Sequence, residues 1–356
     1  MRDAHRDAGA DREPNPDVHR GRVVRDAHSH PVTDPDLTRE LRAMDVKVRP
    51  LEERDLPEAD RIFRLAFGTF MGLPDPMRFA GDSDWIATRW RARPDAVFAA
   101  DADGTLVGSN FVARWGSVGF FGPLTVRPDF WDRGVARRLL EPTMELFTRW
   151  GVSHAGLFTF AQSPKHVVLY QRFGFWPRFL TTIMGKVVDP AAAAPDWSRY
   201  SHASRAEQAG VLAECRTVTD AVHPGLDLAD EIAAVAAQRL GDTVLLRGGT
   251  ELVGLAVCHR GAGSEAGSGT CYVKFGAVRP GADAGARFDR LLAACEAYAA
   301  AEGMAHLVAG MNLAREDAYR HMRGRGFRSE FQGVAMHRPN EPGYSRPDRH
   351  VIDDWR

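Results

Sequence analysis

Two short stretches hold the residues whose types and spacing could do chemistry. The first, LTVRPDFWDRGVARRLLEP at residues 124–142, reads as the end of a buried strand, a turn with Gly134 and Ala136 among charges, and the start of an amphipathic helix. A Walker loop needs G-x-x-x-x-G-K-S/T and a dinucleotide loop needs G-x-G-x-x-G, and neither is present. Small residues at 134 and 136 still let the backbone approach a ligand, and the first helical N–H groups, unpaired within the helix, point at it. Such a turn is an anion site. Arg133, Arg137 and Arg138 add positive charge, although arginines at a helix start equally suit a solvated face. The second stretch is SPKHVVLYQRFGFWP at residues 163–177, where Ser163 suits a helix N-cap, Pro164 its first position and Gly174 its end. It carries one phenol, Tyr170. On residues alone, each stretch also fits a bland reading: an ordinary strand–turn–helix, and a half-buried aromatic with its hydroxyl satisfied.

Taken together and in this order, the two stretches resemble the signatures of the GCN5-related N-acetyltransferase (GNAT) family. The first signature is Q/R-x-x-G-x-G/A after a strand ending near V-x-P; Val126, Pro128, Gly134 and Ala136 stand at the matching positions, and Trp131 replaces the expected Gln or Arg. The second is matched by Tyr170-x-x-x-Gly174-Phe175. The resemblance implies an acetyl-CoA cosubstrate. Leu124, Thr125 and Val126 would line its pantetheine arm, Asp132, Arg133, Gly134, Val135, Ala136 and Arg137 would hold its pyrophosphate, and Ser163 would lie beside them. It also implies that the Tyr170 hydroxyl faces the thiol, and a phenol of pKa ~10 can give a proton to a departing thiolate.

The elements that must position these residues can be read around them. VKVRPLEERDLPEADRIFRLAF opens the periodic part as a short strand and a helix, with Leu56, Ala59, Ile62, Phe63, Ala66 and Phe67 at helical spacing. Residues 96–100 and 106–115 read as paired antiparallel strands around the Asp103-Gly104 turn. The helix after Gly134 contains Pro142, which removes an N–H and should kink or break it. After Gly151 a strand runs through residues 155–160, and the tyrosine helix follows.

The second half repeats the first. A shift of 152 residues puts Val126-Arg127-Pro128 on Val278-Arg279-Pro280, Arg138-Leu139-Leu140 on Arg290-Leu291-Leu292, Gly151 on Gly303, His154 on His306 and Gly174-Phe175 on Gly326-Phe327. Upstream, Leu106-Val107-Gly108 matches Leu252-Val253-Gly254 at a shift of 146, so the second copy holds six extra residues, which the Gly/Ser-rich stretch 261–269 can absorb as a longer hairpin loop. The expected fold class is therefore α/β (α+β): two tandem GNAT-like domains, each a mixed, mostly antiparallel sheet flanked by helices. The expected boundaries are a disordered tail at 1–43, a catalytic domain at 44–188, a linker at 189–198, a degenerate domain at 199–338 and a loose C-terminal tail at 339–356. Met44 offers an alternative start to Met1. In the second copy Gly134 becomes Ala286, Ala136 becomes Phe288, Arg133 becomes Gly285 and Tyr170 becomes Met322. A phenyl ring occupies the space a pyrophosphate needs, and methionine donates no proton, so one acetyl-CoA per chain is expected. Tyr319 is out of register and reads as packing or surface.

Composition sets outer limits. The 46 Lys+Arg balance 47 Asp+Glu for a net charge of −1, with no long basic run, so neither nucleic acid nor an anionic membrane is an expected partner. No apolar run reaches membrane-spanning length and the N-terminus is polar, which points to a soluble, cytoplasmic protein. Cys215, Cys258, Cys271 and Cys295 show no metal-ligand spacing, so no metal is expected.

The expected reaction is direct attack of an amine, on a small molecule or a peptide, on the acetyl-CoA thioester. In this family a strand carboxylate often takes the amine's proton, but GSVGFFGPLTV contains none, leaving a base elsewhere or a water chain. His166, one helical turn before Tyr170, is a candidate relay or a solvated histidine. Phe70, Trp115, Phe120 and Phe121 could line an acceptor pocket or lie in the core. The missing carboxylate and the degenerate half leave a rival reading, a non-catalytic acyl-CoA-binding sensor.

Overall fold

The computed structural model describes residues 46–356, so the tail expected at 1–43 lies outside the described residues. The first repeat runs β1 (Val46–Pro50), α1 (Leu56–Phe70), α2 (Ile86–Ala92), β2 (Val97–Ala102), β3 (Thr105–Trp115), β4 (Val118–Val126), α3 (Val135–Arg149), β5 (His154–Thr159), α4 (Pro164–Gln171) and β6 (Trp176–Val187). The second runs β7 (Trp197–Arg199), α5 (Gln208–Val222), α6 (Ala229–Gln238), β8 (Gly241–Gly248), β9 (Glu251–Gly261), β10 (Gly267–Val278), α7 (Ala284–Ala301), β11 (His306–Asn312), α8 (Glu316–Gly324) and β12 (Arg328–Arg338), with β13 (Val351–Ile352) after it. Local sequence accounts for these elements. Leu56, Ala59, Ile62, Phe63 and Ala66 bury one stripe of α1. Asp103 and Gly104 both take positive φ, +51° and +81°, the conformation that closes the β2–β3 hairpin with the twist of its strands. α3 continues through Pro142 without a break; the next residue, Thr143, bonds back to the Leu139 carbonyl at 2.9 Å and receives Asn110 Nδ2 at 2.8 Å.

Among the described residues one sheet contains all the strands, in the order β1-β2-β3-β4-β5-β12-β6-β11-β10-β9-β8-β7, with β13 added against β10. The pairs are antiparallel except β4 with β5 and β10 with β11. This order is symmetric about the β12/β6 pair, and the 152-residue shift carries β6 onto β12. Each repeat gives its last strand to the other: β12 pairs with β5 from Arg338↔Ala155 to Val334↔Thr159, and β6 pairs with β11. The segment expected to link the repeats at 189–198 is thus a boundary along the chain and not in the sheet, and β7 already begins within it at Trp197.

The expectation of a loose tail at 339–356 fails. Tyr344, Val351, Ile352 and Trp355 are buried, and β13 pairs with β10 as Gly276↔Ile352 and Ala277↔Val351. The polar residues that suggest a solvated tail are buried partners instead. Asp353 takes Arg315 at 2.7 Å and the Tyr344 hydroxyl at 2.5 Å, and Asp354 accepts from the Tyr272 hydroxyl at 3.0 Å.

The apolar packing settles most of the aromatic residues that could have lined a pocket. Trp115 and Phe120 pack edge to face at 4.6 Å and join Phe275 of the second repeat and Trp355 in a core shared by both repeats. Phe121 lies in a separate core with residues of α3 and α4. Phe70 is half-buried against Phe160, at 4.5 Å between ring centres. Tyr319 packs, partly buried, against the core of the second repeat.

Candidate functional site

The turn after β4 is built to leave a backbone surface open. Trp131, which stands where the signature has Gln or Arg, donates its indole N–H to the Val126 carbonyl at 2.7 Å and so ties the turn to the end of the strand. Asp132 follows at φ +64° and Gly134 at φ +77°, a left-handed residue in the N-cap position of α3. A Cβ at Gly134 would find nothing within 4 Å, so the space in front of the helix start is clear. The N–H groups of Val135, Ala136 and Arg137 have no acceptor within the helix and face that end. Around them, Arg133 lies 4.9 Å over the Phe130 ring, Arg137 pairs with Glu141 at 3.4 Å, and Lys165 at the start of α4 reaches Asp132 at 2.5 Å. The Asp132 carboxylate is exposed at the rim, where it offsets part of the positive charge.

Behind the turn, two strands part. β4 and β5 pair only as Val118↔His154, Gly119↔Ala155 and Phe120↔Gly156, after which β4 continues to Val126 and β5 to Thr159. On its other side β4 remains paired with β3, through Ser109↔Thr125 and Gly108↔Val126, and Arg127 N–H donates to Val107. Antiparallel ladders alternate, so this register spends the Thr125 amide on β3 and turns those of Leu124 and Val126 toward the opening. The Thr125 hydroxyl is also taken up, 3.2 Å from Ser109 Oγ. Of the three residues expected to line a pantetheine arm, two therefore present backbone to the opening and Thr125 faces away.

On the β5 side of the opening, Tyr170 is buried in the last turn of α4, with its ring 5.7 Å from Phe121 and the Thr159 side chain beside its hydroxyl. Burial lifts the phenol well above the usual tyrosine range, so it holds its proton at any physiological pH. Ser163 occupies the N-cap position of α4 and is buried, but its side chain makes no capping bond. His166 stacks 5.1 Å from Phe70 and 6.4 Å from Phe160, so its ring lies among different neighbours from those of Tyr170. Its pKa is lowered, by burial first and then by Lys165, which keeps it neutral near pH 7. Thr159 lies outside both signatures, and Trp131 enters the first only as a departure from the expected Gln or Arg, so neither role is legible from the motifs.

The corresponding places in the second repeat are filled by protein. Phe288 is fully buried on α7 between His321 and His350, and Met322 is fully buried on α8. β10 and β11 also pair in parallel only over Thr270–Val273, but where they part, β13 pairs with β10. Beside it, a Cβ on Gly310 of β11 would lie 2.2 Å from the Asp354 side chain.

The acetyltransferase (GNAT) family model matches residues 59–175, a span that includes the turn, the parting strands and Tyr170. Among solved structures, a Pyrococcus horikoshii protein provisionally classed as an acetyltransferase is 13% identical with a TM-score of 0.63, over 87% of this chain and 95% of that one. A GCN5-related N-acetyltransferase from Sphaerobacter thermophilus is 15% identical with a TM-score of 0.53, over 82% and 95%. At such identities the likeness is one of fold. No curated protein matches by sequence.

Proposed function

We propose that residues 59–175, which the GNAT acetyltransferase family model matches, form a working acetyltransferase domain, and that this chain transfers the acetyl group of acetyl-CoA to an amine through its first repeat. The observation that carries the reading is the opening between β4 and β5, with a left-handed Gly134 turn at its end and the Tyr170 hydroxyl on its β5 edge. The family binds acyl-CoA, and the opening suits an extended arm: unpaired amides of Leu124 and Val126 along one strand, and three helical N–H groups for a pyrophosphate. The acceptor nitrogen attacks the thioester carbonyl carbon, a C–N bond forms, the C–S bond breaks, and the leaving sulfur takes a proton from Tyr170, which is restored by the proton that the attacking nitrogen sheds as it becomes the amide. The proton of the ammonium leaves through a group other than β4, whose side chains include no carboxylate. Holding both reactants in line supplies much of the rate. The acceptor is a small-molecule or peptide amine. Among the described residues no helix is long and apolar enough to cross a membrane.

The test is free-thiol release from acetyl-CoA by the purified chain against an amine library, with product masses measured. Tyr170→Phe removes the proton donor and little packing, so turnover should fall by about 10²–10⁴-fold while coenzyme A affinity holds. Equal turnover in parent and mutant would remove Tyr170 from the mechanism. Binding of coenzyme A without thiol release against any amine would instead establish the sensor reading, which the carboxylate-free β4 favours.

A further inference from the structure

The extra residues of the second repeat form the β9–β10 loop, and that loop reaches the first repeat. Its backbone joins the segment before α2: Gly263 N–H donates to the Asp82 carbonyl at 3.1 Å and Asp84 N–H to the Ser264 carbonyl at 2.9 Å. Ser268 N–H adds a bond to the Asp82 carboxylate at 2.9 Å. Docked in this way, the loop delivers Glu265, whose side chain is fully buried, to Arg89 on α2 in a two-point pair at 2.9 and 2.9 Å. The third arm of the guanidinium, Nη1, donates to the Gly122 carbonyl at 2.5 Å. Gly122 is two residues past the last β4–β5 pair, and it lies where the β3–β4 register slips between Asn110 and Val112. Its carbonyl sits where the regular ladder is interrupted, and a side chain from α2 takes it up.

We infer that Arg89 and Glu265 are positioning residues for acetyl transfer: the second repeat, through Glu265, fixes Arg89, and Arg89 fixes the stretch of β4 along which the thioester lies. The inference rests on the transfer reading above. A guanidinium with a side chain only 8% exposed is unfavourable without a charge partner, and Glu265 is the carboxylate that meets it face to face. Lys274 holds Glu265 from the other side at 2.8 Å and also pairs with Glu231 at 2.9 Å, so Glu265 is fixed from both repeats. Trp85, 4.7 Å from the guanidinium, closes one face of Arg89. Without this support the Gly122 carbonyl is free to turn, and the Leu124 and Val126 amides that follow it move with it. A misplacement of about 1 Å at a reacting centre can cost about 100-fold in rate.

The experiment compares the full chain with Glu265→Gln and Arg89→Lys. Lysine keeps the charge beside Glu265 but cannot serve both Glu265 and Gly122. Expected are a fall in kcat of about 10- to 100-fold, a KM for acetyl-CoA within about threefold of parent, and backbone amide exchange that quickens at residues 118–126 while the rest of the sheet is unchanged. If Glu265→Gln does not fold, Arg89→Lys decides alone. Unchanged kcat and unchanged β4 exchange in a folded variant overturn the inference. So does a loss of kcat with exchange quickened across the whole sheet, because the pair would then be a general stabiliser. A parent chain that transfers acetyl to no amine sinks the transfer reading instead, and the exchange comparison still decides whether the pair holds β4.

Discussion

Gly134→Glu tests the anion site at its narrowest point. The residue sits at φ +77°, where any side chain is strained by about 1–2 kcal/mol, but its Cβ would meet nothing within 4 Å, so no clash adds to that cost. The new carboxylate lies at the N-terminus of α3, where the helix dipole returns about 0.3–1 kcal/mol. The net loss of stability is therefore about 1 kcal/mol, a shift of melting temperature of roughly 2–4 °C. The effect on ligand is larger. A carboxylate roughly 5 Å from a doubly charged pyrophosphate repels it by about 2 kcal/mol at the dielectric of water and about 7 kcal/mol at an effective dielectric of 20. Coenzyme A affinity should drop by at least about 20-fold. The matched change Ala286→Glu meets a start of α7 already filled by Phe288 and should leave affinity unaltered. Calorimetry on the two variants and the parent reads both affinity and stoichiometry. Two sites per chain, or binding retained in a folded Gly134→Glu and lost in Ala286→Glu, would refute the placement of the working site in the first repeat.

Two predictions concern what holds the sheet together. Arg315→Met should destabilise the chain by about 3–5 kcal/mol, because Asp353, only 3% exposed, would be left as an unpaired buried charge; a melting temperature within about 2 °C of parent would show the pair to be dispensable. His154 and His337 meet at 3.2 Å, and burial first, with neighbouring charges second, lowers them to about 4 and about 3. Their unfolded pKa is near 6.5, so between pH 7 and pH 5 the unfolded chain takes up protons that the native state refuses, and stability falls as pH falls. Each imidazole accounts for about 2 kcal/mol over that range. Denaturant melts of His337→Gln should show a correspondingly shallower acid loss than parent, and parallel curves would remove His337 from the effect.

Much of the candidate site was legible because its signals are local. Gly134 and Ala136 mark close backbone approach within one turn, the spacing from Tyr170 to Gly174 marks one short helix, and the 152-residue repeat exposed the replacements Ala286, Phe288 and Met322 by position alone. Relations between distant residues were not legible. Alternation along β6 and β12 tells which face of a strand is buried but not which neighbour it pairs with, so the exchange of last strands left no trace in either segment. Asp353 and Asp354 look solvated in a charged segment, and only their partners Arg315 and Tyr272 make them core residues. Glu265 and Arg89 stand 176 residues apart, and neither belongs to a motif.

The two repeats answer one structural problem in two ways. Where parallel strands part inside a sheet, their inner edges present amide groups that need partners, and leaving them dry and unpaired is costly. In the second repeat Val351 and Ile352 enter as a short strand against β10, and Phe288 fills the helix start, so the demand is met by the chain itself. In the first repeat no strand of the described residues enters between β4 and β5, while Trp131 satisfies the Val126 carbonyl and Arg89 the Gly122 carbonyl. What remains along that edge is the amide of Leu124 and the N–H of Val126, ending at the three N–H groups of α3. A ligand that completes the edge must be extended, must offer both donors and acceptors along its length, and must end in an anion. Exchange of the last strands ties the filled repeat to the open one, because β12 pairs with β5 along one edge and with β6 along the other.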